Sequence, residues 1–160
     1  MEAKPFHLNF DDLPWGRYSH GRFGSEDKEI TDGMSARKLS CVLTRLAPGE
    51  VSCPYHFHRM GEELFIILEG TGTLRYNGET RPLKPHDVIT CPPGPGSAHQ
   101  FINDSEGPLV YYAISTRERF EMVEYPDSGK VLTRARNDAD RAVYLFKQEA
   151  GRVDYYEGES

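Results

Sequence analysis

Long apolar runs are missing from this sequence. Hydrophobic residues make up 38% of the 160-residue chain, and none of their runs is long enough to cross a bilayer as a helix. The first residues, MEAKPFHLNFDDLPWG, also lack a basic stretch followed by an apolar one, which is the pattern of a secretory signal. We therefore expect a cytoplasmic protein with no membrane partner.

Basic residues are in deficit as well. The chain has 19 lysines and arginines against 25 aspartates and glutamates, which gives a formal net charge of −6. A general binder of nucleic acid needs the opposite balance, because it must neutralise phosphates. We expect no nucleic-acid partner, and a length of 160 residues is that of one domain with its own core.

Cysteines are few and scattered. The three are Cys41, Cys53 and Cys91, and none stands in a Cys-x-x-Cys spacing typical of zinc sites. An odd number of distant cysteines, without an export signal, favours reduced thiols. We interpret each as a small buried apolar side chain, since free cysteine is among the most buried residue types.

Helical periodicity is also absent between Ala36 and Arg117. This region consists of short apolar runs separated by turn residues, which predicts closely spaced antiparallel strands in a sandwich or barrel. Asn77-Gly78 indicates a two-residue hairpin, because both turn positions need a positive φ. We predict a single all-β domain over residues 1–160, with a barrel core at about 36–117, an irregular N-terminal arm at 1–35 and a C-terminal extension at 118–160.

What the chain does have is a local concentration of ligand-type residues in HFHRMGEE. His56 and His58 are two of only six histidines, and they stand one residue apart. Because successive strand side chains point to opposite faces, the two imidazoles share a face and can approach one cation. Tyr55 and Phe57 then point the other way. The remaining histidines, apart from His99, have no partners at useful spacing and are interpreted as surface residues: His7, His20 and His86.

Two further ligands are within reach of such a cation. Glu62 or Glu63 follows the bend at Gly61, where the next strand turns back beside the first. His99 follows the turn CPPGPGSA in another β-rich segment. Imidazole and carboxylate together suit a divalent transition metal, and four protein ligands leave two positions of a six-coordinate ion open.

These residues resemble two motifs of the cupin superfamily. The first motif is matched by Gly49, His56, His58, Glu63 and Gly70. The second is matched within HDVITCPPGPGSAHQFIN by Pro92, Gly94, Gly96, His99 and Asn103. Glu63 fits the ligand position better than Glu62, since it stands six residues before Gly70. The chain departs in three ways: Gly49 is one residue further from His56 than usual, the Pro-to-His stretch is two residues longer, and His86 replaces a turn glycine.

The resemblance covers about residues 38–116 and implies a double-stranded β-helix, a small jelly-roll-like barrel. It implies one divalent transition metal per subunit (Mn, Fe, Zn, Ni or Co) held by His56, His58, Glu63 and His99. The chain is similar to short single-domain bacterial cupins, some of them named as sugar-phosphate isomerases. A metal-dependent isomerase or dioxygenase acting on a small oxygen-bearing substrate is therefore expected. A non-catalytic module that binds or senses a small molecule is the alternative.

The catalytic residues stay unassigned at this level. Tyr55 and Tyr112 are candidates for a general base, but the sequence does not place either of them at the site. The cations considered for a substrate phosphate are Arg45, Arg75 and Lys84.

Two strands are apolar on both faces, in LFIIL and LVYYAI. Such strands must be covered on both faces. The cover can come from either arm or from a second copy of the chain, and we expect a homodimer that packs sheet against sheet.

Overall fold

We describe the chain from a computed structural model, which covers residues 4–135 and 143–148. The all-β prediction is confirmed. Thirteen strands are described, with bounds as follows: β1 Gly16–His20, β2 Phe23–Glu29, β3 Leu39–Leu46, β4 Phe57–His58, β5 Glu63–Glu69, β6 Gly72–Tyr76, β7 Glu79–Leu83, β8 Val88–Cys91, β9 His99–Ile102, β10 Leu109–Thr116, β11 Phe120–Tyr125, β12 Lys130–Ala135 and β13 Val143–Lys147. Two short 3₁₀ helices occupy Phe10–Asp12 and Pro95–Ser97. In these described ranges, no helix has the length and apolar character of a membrane span.

The strands form two facing layers. One layer has the order β1-β2-β3-β10-β5-β8, and all its pairs are antiparallel. The other contains β7-β6-β9 and β13-β12-β11-β4, which an isolated bridge between His56 and His99 joins. This double layer agrees with the predicted double-stranded β-helix.

The core lies between the two layers and is aromatic. Phe101 from β9 stacks on Tyr111 from β10 with ring centroids 4.8 Å apart, and Phe65 from β5 lies 4.7 Å from Phe101. Leu46 and Ile67 are fully buried beside them. Aromatic pairs of this kind contribute about 0.5–1.5 kcal/mol beyond the area they bury, so the two layers are held together near the end that carries His99.

Turn chemistry follows the sequence closely. Asn77 and Gly78 have φ values of 47° and 82° and close the β6–β7 hairpin, which confirms that prediction. His86 also has a positive φ, 75°, so it occupies the turn position without a glycine. Gly70 is required sterically, because a Cβ there would lie 2.0 Å from the carbonyl oxygen of Pro108.

The N-terminal arm is more regular than expected. Residues 16–29 lie in the segment predicted to be irregular, yet they form β1 and β2 and extend the first sheet through β3. Every residue of β1 is exposed, so the strand has no apolar alternation that a sequence could display. The N-terminal aromatics pack on the outer face of the sheet, as Phe10 meets Tyr112 edge-on and Arg45 stacks over Trp15 at 4.3 Å.

The C-terminal extension also joins the barrel. β11 pairs with β4, with Val123 opposite His58 and Glu124 opposite Phe57. β12 and β13 continue this sheet outward. Within the predicted C-terminal extension, the segment RVDYYEGES and most of RARNDADRA lie outside the described residues.

Candidate metal centre

Three strands bring the four predicted ligands to one end of the barrel. His58 lies in β4 and His56 directly precedes it, Glu63 opens β5, and His99 opens β9. Ligand atoms of His56, His58 and Glu63 all lie within 4.8 Å of one another. His99 joins them, since its Nε2 lies 3.1 Å from the same Glu63 oxygen that His58 Nε2 approaches to 3.4 Å.

The imidazoles share one orientation. His56 Nδ1 lies 2.9 Å from the carbonyl oxygen of Pro54, and His99 Nδ1 lies 3.0 Å from that of Ser97. His58 Nδ1 faces a carboxylate oxygen of Glu121 at 3.4 Å. Each Nδ1 therefore has an acceptor behind it, which leaves Nε2 to face the centre. This is how histidines that bind metals are usually oriented by their surroundings.

Two of the histidines, His56 and His58, have lowered pKa values. Burial lowers the pKa of His56 and of His58, although Glu63 opposes this effect. Both are therefore neutral near pH 7, which is the form that coordinates a metal.

Glu63 and His99 are charged in the metal-free site. Burial raises the pKa of Glu63, but its contact with His99 and the positive charge that the three imidazoles carry when protonated outweigh burial and lower the pKa to about 2. Burial lowers the pKa of His99, but the Cys91 side chain and Glu63 outweigh it and raise the pKa to about 10. A proton on His99 thus balances the carboxylate when no cation is present.

Two buried polar atoms at this centre lack a satisfactory partner. Within the described parts of the chain, Glu63 Oε2 and His58 Nδ1 have no hydrogen bond of acceptable geometry, despite their short contacts. Buried polar atoms are normally paired. An oxygen in this position surrounded by imidazole nitrogens fits a divalent transition metal, whose preferred ligands are imidazole and carboxylate.

Glu121 is a part of the site that sequence reasoning missed. Its side chain is only 1% exposed, and its carboxylate accepts hydrogen bonds from the backbone N–H groups of Met60, Gly61 and Met122 at 3.1, 2.8 and 2.9 Å. It thereby anchors the bend after β4 and stands behind His58. The available signal was that Glu121 alternates with Val123 and Tyr125 on one face of FEMVEY.

Tyr125 and Cys53 are further neighbours that were not assigned to the site. The Tyr125 ring lies 5.9 Å from that of His56, and Cys53 Sγ lies 3.6 Å from His56 Nδ1. Burial raises the pKa of both side chains, so the phenol and the thiol are protonated at neutral pH.

The two tyrosines named from sequence lie elsewhere. Tyr55 is on the opposite face, where it packs with Phe57 and its hydroxyl accepts from the backbone N–H of Gly78. Tyr112 packs against Phe10 on the outside of the first sheet. Neither is placed to act as a base at the centre.

The cations named from sequence are also placed elsewhere. Arg45 pairs with Glu26 and Arg75 with Asp127. Lys84 is exposed in a turn.

Glu62 is exposed, in contrast to its neighbour Glu63. Its backbone N–H donates to the Thr116 hydroxyl, but its carboxylate is not among the groups that meet at the centre.

A groove of about 510 Å³ runs along the other face of β4 and β11. Its floor includes Phe57, and its rim includes Arg59, which pairs with Glu124 at 2.5 Å. None of the four predicted ligands lines this groove, so we separate it from the candidate centre.

Comparison with known proteins identifies the family. The Cupin domain family matches residues 42–115. Auxin-binding protein 1 of Arabidopsis thaliana is 30% identical over 146 residues, which cover 85% of this chain and 71% of that protein. The chain belongs to the cupin superfamily.

Solved cupin structures extend the likeness beyond the family region. A candidate sugar phosphate isomerase of Acidithiobacillus ferrooxidans is 27% identical, with a TM-score of 0.79 over 89% of this chain and 90% of that one. A cupin from Silicibacter pomeroyi that is named a sugar phosphate isomerase is 21% identical, with a TM-score of 0.78 over 93% and 97% of the two chains. The second likeness shows the fold alone.

Proposed function

We propose that this cupin is a metal-dependent enzyme that acts on a small oxygen-bearing molecule, with an isomerase-like or oxygenase-like reaction. The proposed ligands are His56, His58, Glu63 and His99. The observation that carries the proposal is the common orientation of the three imidazoles, each with Nδ1 backed by an acceptor and Nε2 left to face the centre.

A divalent cation held there would supply a Lewis acid to a substrate oxygen. The chain itself would fix the geometry: a Glu121 oxygen lies 3.4 Å behind Nδ1 of His58, and the carbonyl oxygens of Pro54 and Ser97 pair with Nδ1 of His56 and of His99. The Tyr125 ring lies 5.9 Å from that of His56, and its protonated hydroxyl can donate a hydrogen bond to a bound molecule. The 27% identity to the candidate isomerase of Acidithiobacillus ferrooxidans supports an isomerase-like reaction.

A non-catalytic binding module is the second candidate. The observation that favours it is the 30% identity to a protein named for binding auxin. The same four ligands would then hold a small molecule through the cation without converting it. Turnover distinguishes the two functions.

Metal content tests the site itself. Glu63→Gln should lose most of the metal that the wild type retains after purification, because the amide has no charge and is a poor ligand. Glu62→Gln is the matched control and should keep it, since Glu62 is exposed and outside the cluster. His56→Ala with His99→Ala should remove metal altogether. Stoichiometric metal in that double variant would refute the ligand assignment.

Incubation with a pool of cell metabolites then tests the reaction. The metal-loaded wild type should consume at least one small oxygen-bearing compound, and the Glu63→Gln variant should not. A compound that is retained but never converted would instead support the binding module.

A further inference from the structure

The C-terminal hairpin adds a row of side chains to the face that carries the candidate ligands. In β11, Glu121 lies behind His58 and Tyr125 lies beside His56, so alternate residues of this strand share the side of the sheet that carries the two histidines. Cross-strand partners share a face of a sheet. In β12 these partners are Arg134, opposite Glu121, and Lys130, opposite Tyr125.

Arg134 is the unusual member of this row. Its Nε is buried and has no hydrogen-bond partner among the described residues. Although it is the cross-strand partner of Glu121, that carboxylate is already occupied by the backbone N–H groups of Met60, Gly61 and Met122. A buried guanidinium nitrogen that lacks a partner is costly, and a bound anion would remove that cost.

Lys130 adds a second positive charge. Its Nζ lies 5.4 Å from the centre of the Tyr125 ring. Over residues 4–135 and 143–148, no carboxylate lies within 4 Å of the Lys130 ammonium or the Arg134 guanidinium, whereas Arg45, Arg59 and Arg75 all have such a partner. Lys130 stands at the end of the hairpin and also borders the groove on the opposite face, so Arg134 is the principal residue.

We propose that Arg134, assisted by Lys130, forms an anion subsite beside the metal centre and that the substrate is therefore an acidic small molecule, with a phosphate or carboxylate group next to its reacting oxygens. The inference rests on the proposed function, because it assumes that the reacting end of the molecule lies at His56, His58, Glu63 and His99. Guanidinium groups suit this task, since their planar N–H groups match the oxygens of both anions.

Anion titration tests the subsite. Inorganic phosphate and acetate would be titrated separately into the zinc-loaded protein, with affinity measured by calorimetry and metal content measured on the same samples. Arg134→Gln should weaken the tighter-binding anion about 10-fold or more, as expected for loss of a charge-assisted hydrogen bond. The anion that binds more tightly identifies the group that the substrate carries.

Control variants separate this effect from others. Lys84→Gln removes an exposed lysine from a turn and should leave anion affinity unchanged. Anion bound directly to zinc is common to all variants, so only the difference between Arg134→Gln and Lys84→Gln reports the subsite. Arg134→Lys should recover part of the affinity because it restores the charge.

Three outcomes overturn the inference: neither anion binds the wild type at millimolar concentration, Arg134→Gln binds as the wild type does, or Lys84→Gln weakens binding equally. If Arg134→Gln does not fold, Lys130→Gln decides, with an expected loss of about 3-fold or more. Retained zinc together with absent anion binding would refute the subsite alone. Stoichiometric metal retained by Glu63→Gln would refute the proposed function instead.

Discussion

Replacing Glu121 by alanine is the sharpest test of how the barrel holds its candidate centre. The side chain is almost fully buried in β11, far in sequence from the histidines. Its two oxygens accept three backbone hydrogen bonds from the bend after β4 and from its own strand, and one of them stands 3.4 Å behind His58 Nδ1. The alanine variant removes all four contacts together.

The expected loss of stability follows from the three N–H groups. A buried donor left without a partner costs about 1–3 kcal/mol. The Gly61 donor is buried, whereas those of Met60 and Met122 are partly buried and can be reached by water. We therefore expect a decrease of about 2–4 kcal/mol in the free energy of unfolding, below the sum of three full penalties.

A second effect should appear in metal affinity. Without Glu121, nothing in the described structure holds His58 Nδ1, and its ring is freer to rotate. Loss of such an orienting partner typically weakens metal binding about 10–100-fold. A purely structural glutamate would change stability without this loss, so the two readouts distinguish positioning from packing.

Urea unfolding of the chelated protein measures the first quantity, and competition with a chromophoric chelator measures the second. Glu106→Ala is the matched control, because that residue is exposed in a loop, and it should stay within about 0.5 kcal/mol of the wild type. Glu121→Gln keeps the shape of the side chain and should fall between the two. An alanine variant that matches the Glu106→Ala control in both measurements would refute the reasoning.

Three other predictions follow from separate parts of the structure. Gly70→Ala should destabilise the fold by at least about 3 kcal/mol more than Gly78→Ala in urea, because only at the first position does a Cβ meet the Pro108 backbone; equal losses would contradict this. Zinc binding at pH 7 should release about one proton, because the raised pKa of His99 keeps this histidine protonated until metal displaces the proton; zinc affinity should therefore rise with pH up to about 10. Calorimetry in two buffers of different ionisation enthalpy measures the proton release, and its absence would refute the prediction. We further propose a homodimer that forms through the outer face of the first sheet. Val88 is 60% exposed on that sheet, and Val88→Glu should give a monomer by light scattering. A monomeric wild type at micromolar concentration would contradict the dimer.

Local patterns in the sequence were sufficient to predict the middle part of the fold, from the His56 segment to the hairpin at Asn77. The alternation of His56 and His58 against Tyr55 and Phe57 fixes which side chains face inward, and the structure places both aromatic residues in a separate buried cluster. The hairpin at Asn77 is equally local, because two residues determine its backbone. Each of these predictions needed only neighbours within a few positions.

The supporting residues could not be identified in this way, because they depend on which strands become neighbours. Glu121 and Tyr125 reach the centre only because β11 pairs with β4, about 65 residues earlier. Arg134 lies one strand further from β4, in β12, where it pairs with Glu121 of β11. Nothing in FEMVEYP or KVLTRA specifies that partner, so the sequence analysis described these segments as an extension and left their side chains without a role.

The barrel separates the groups that hold the fold from the groups that meet at the centre. The stacked pair of Phe101 and Tyr111 and the neighbouring Phe65 lie beneath the site, with Phe65 5.2 Å from the His99 ring. Glu63 instead stands at the start of β5, where its removal leaves these aromatic contacts intact. Glu121 is the exception, since one carboxylate both closes the bend after β4 and stands behind His58. Stability and metal affinity should therefore be coupled through Glu121 and nearly independent at Glu63.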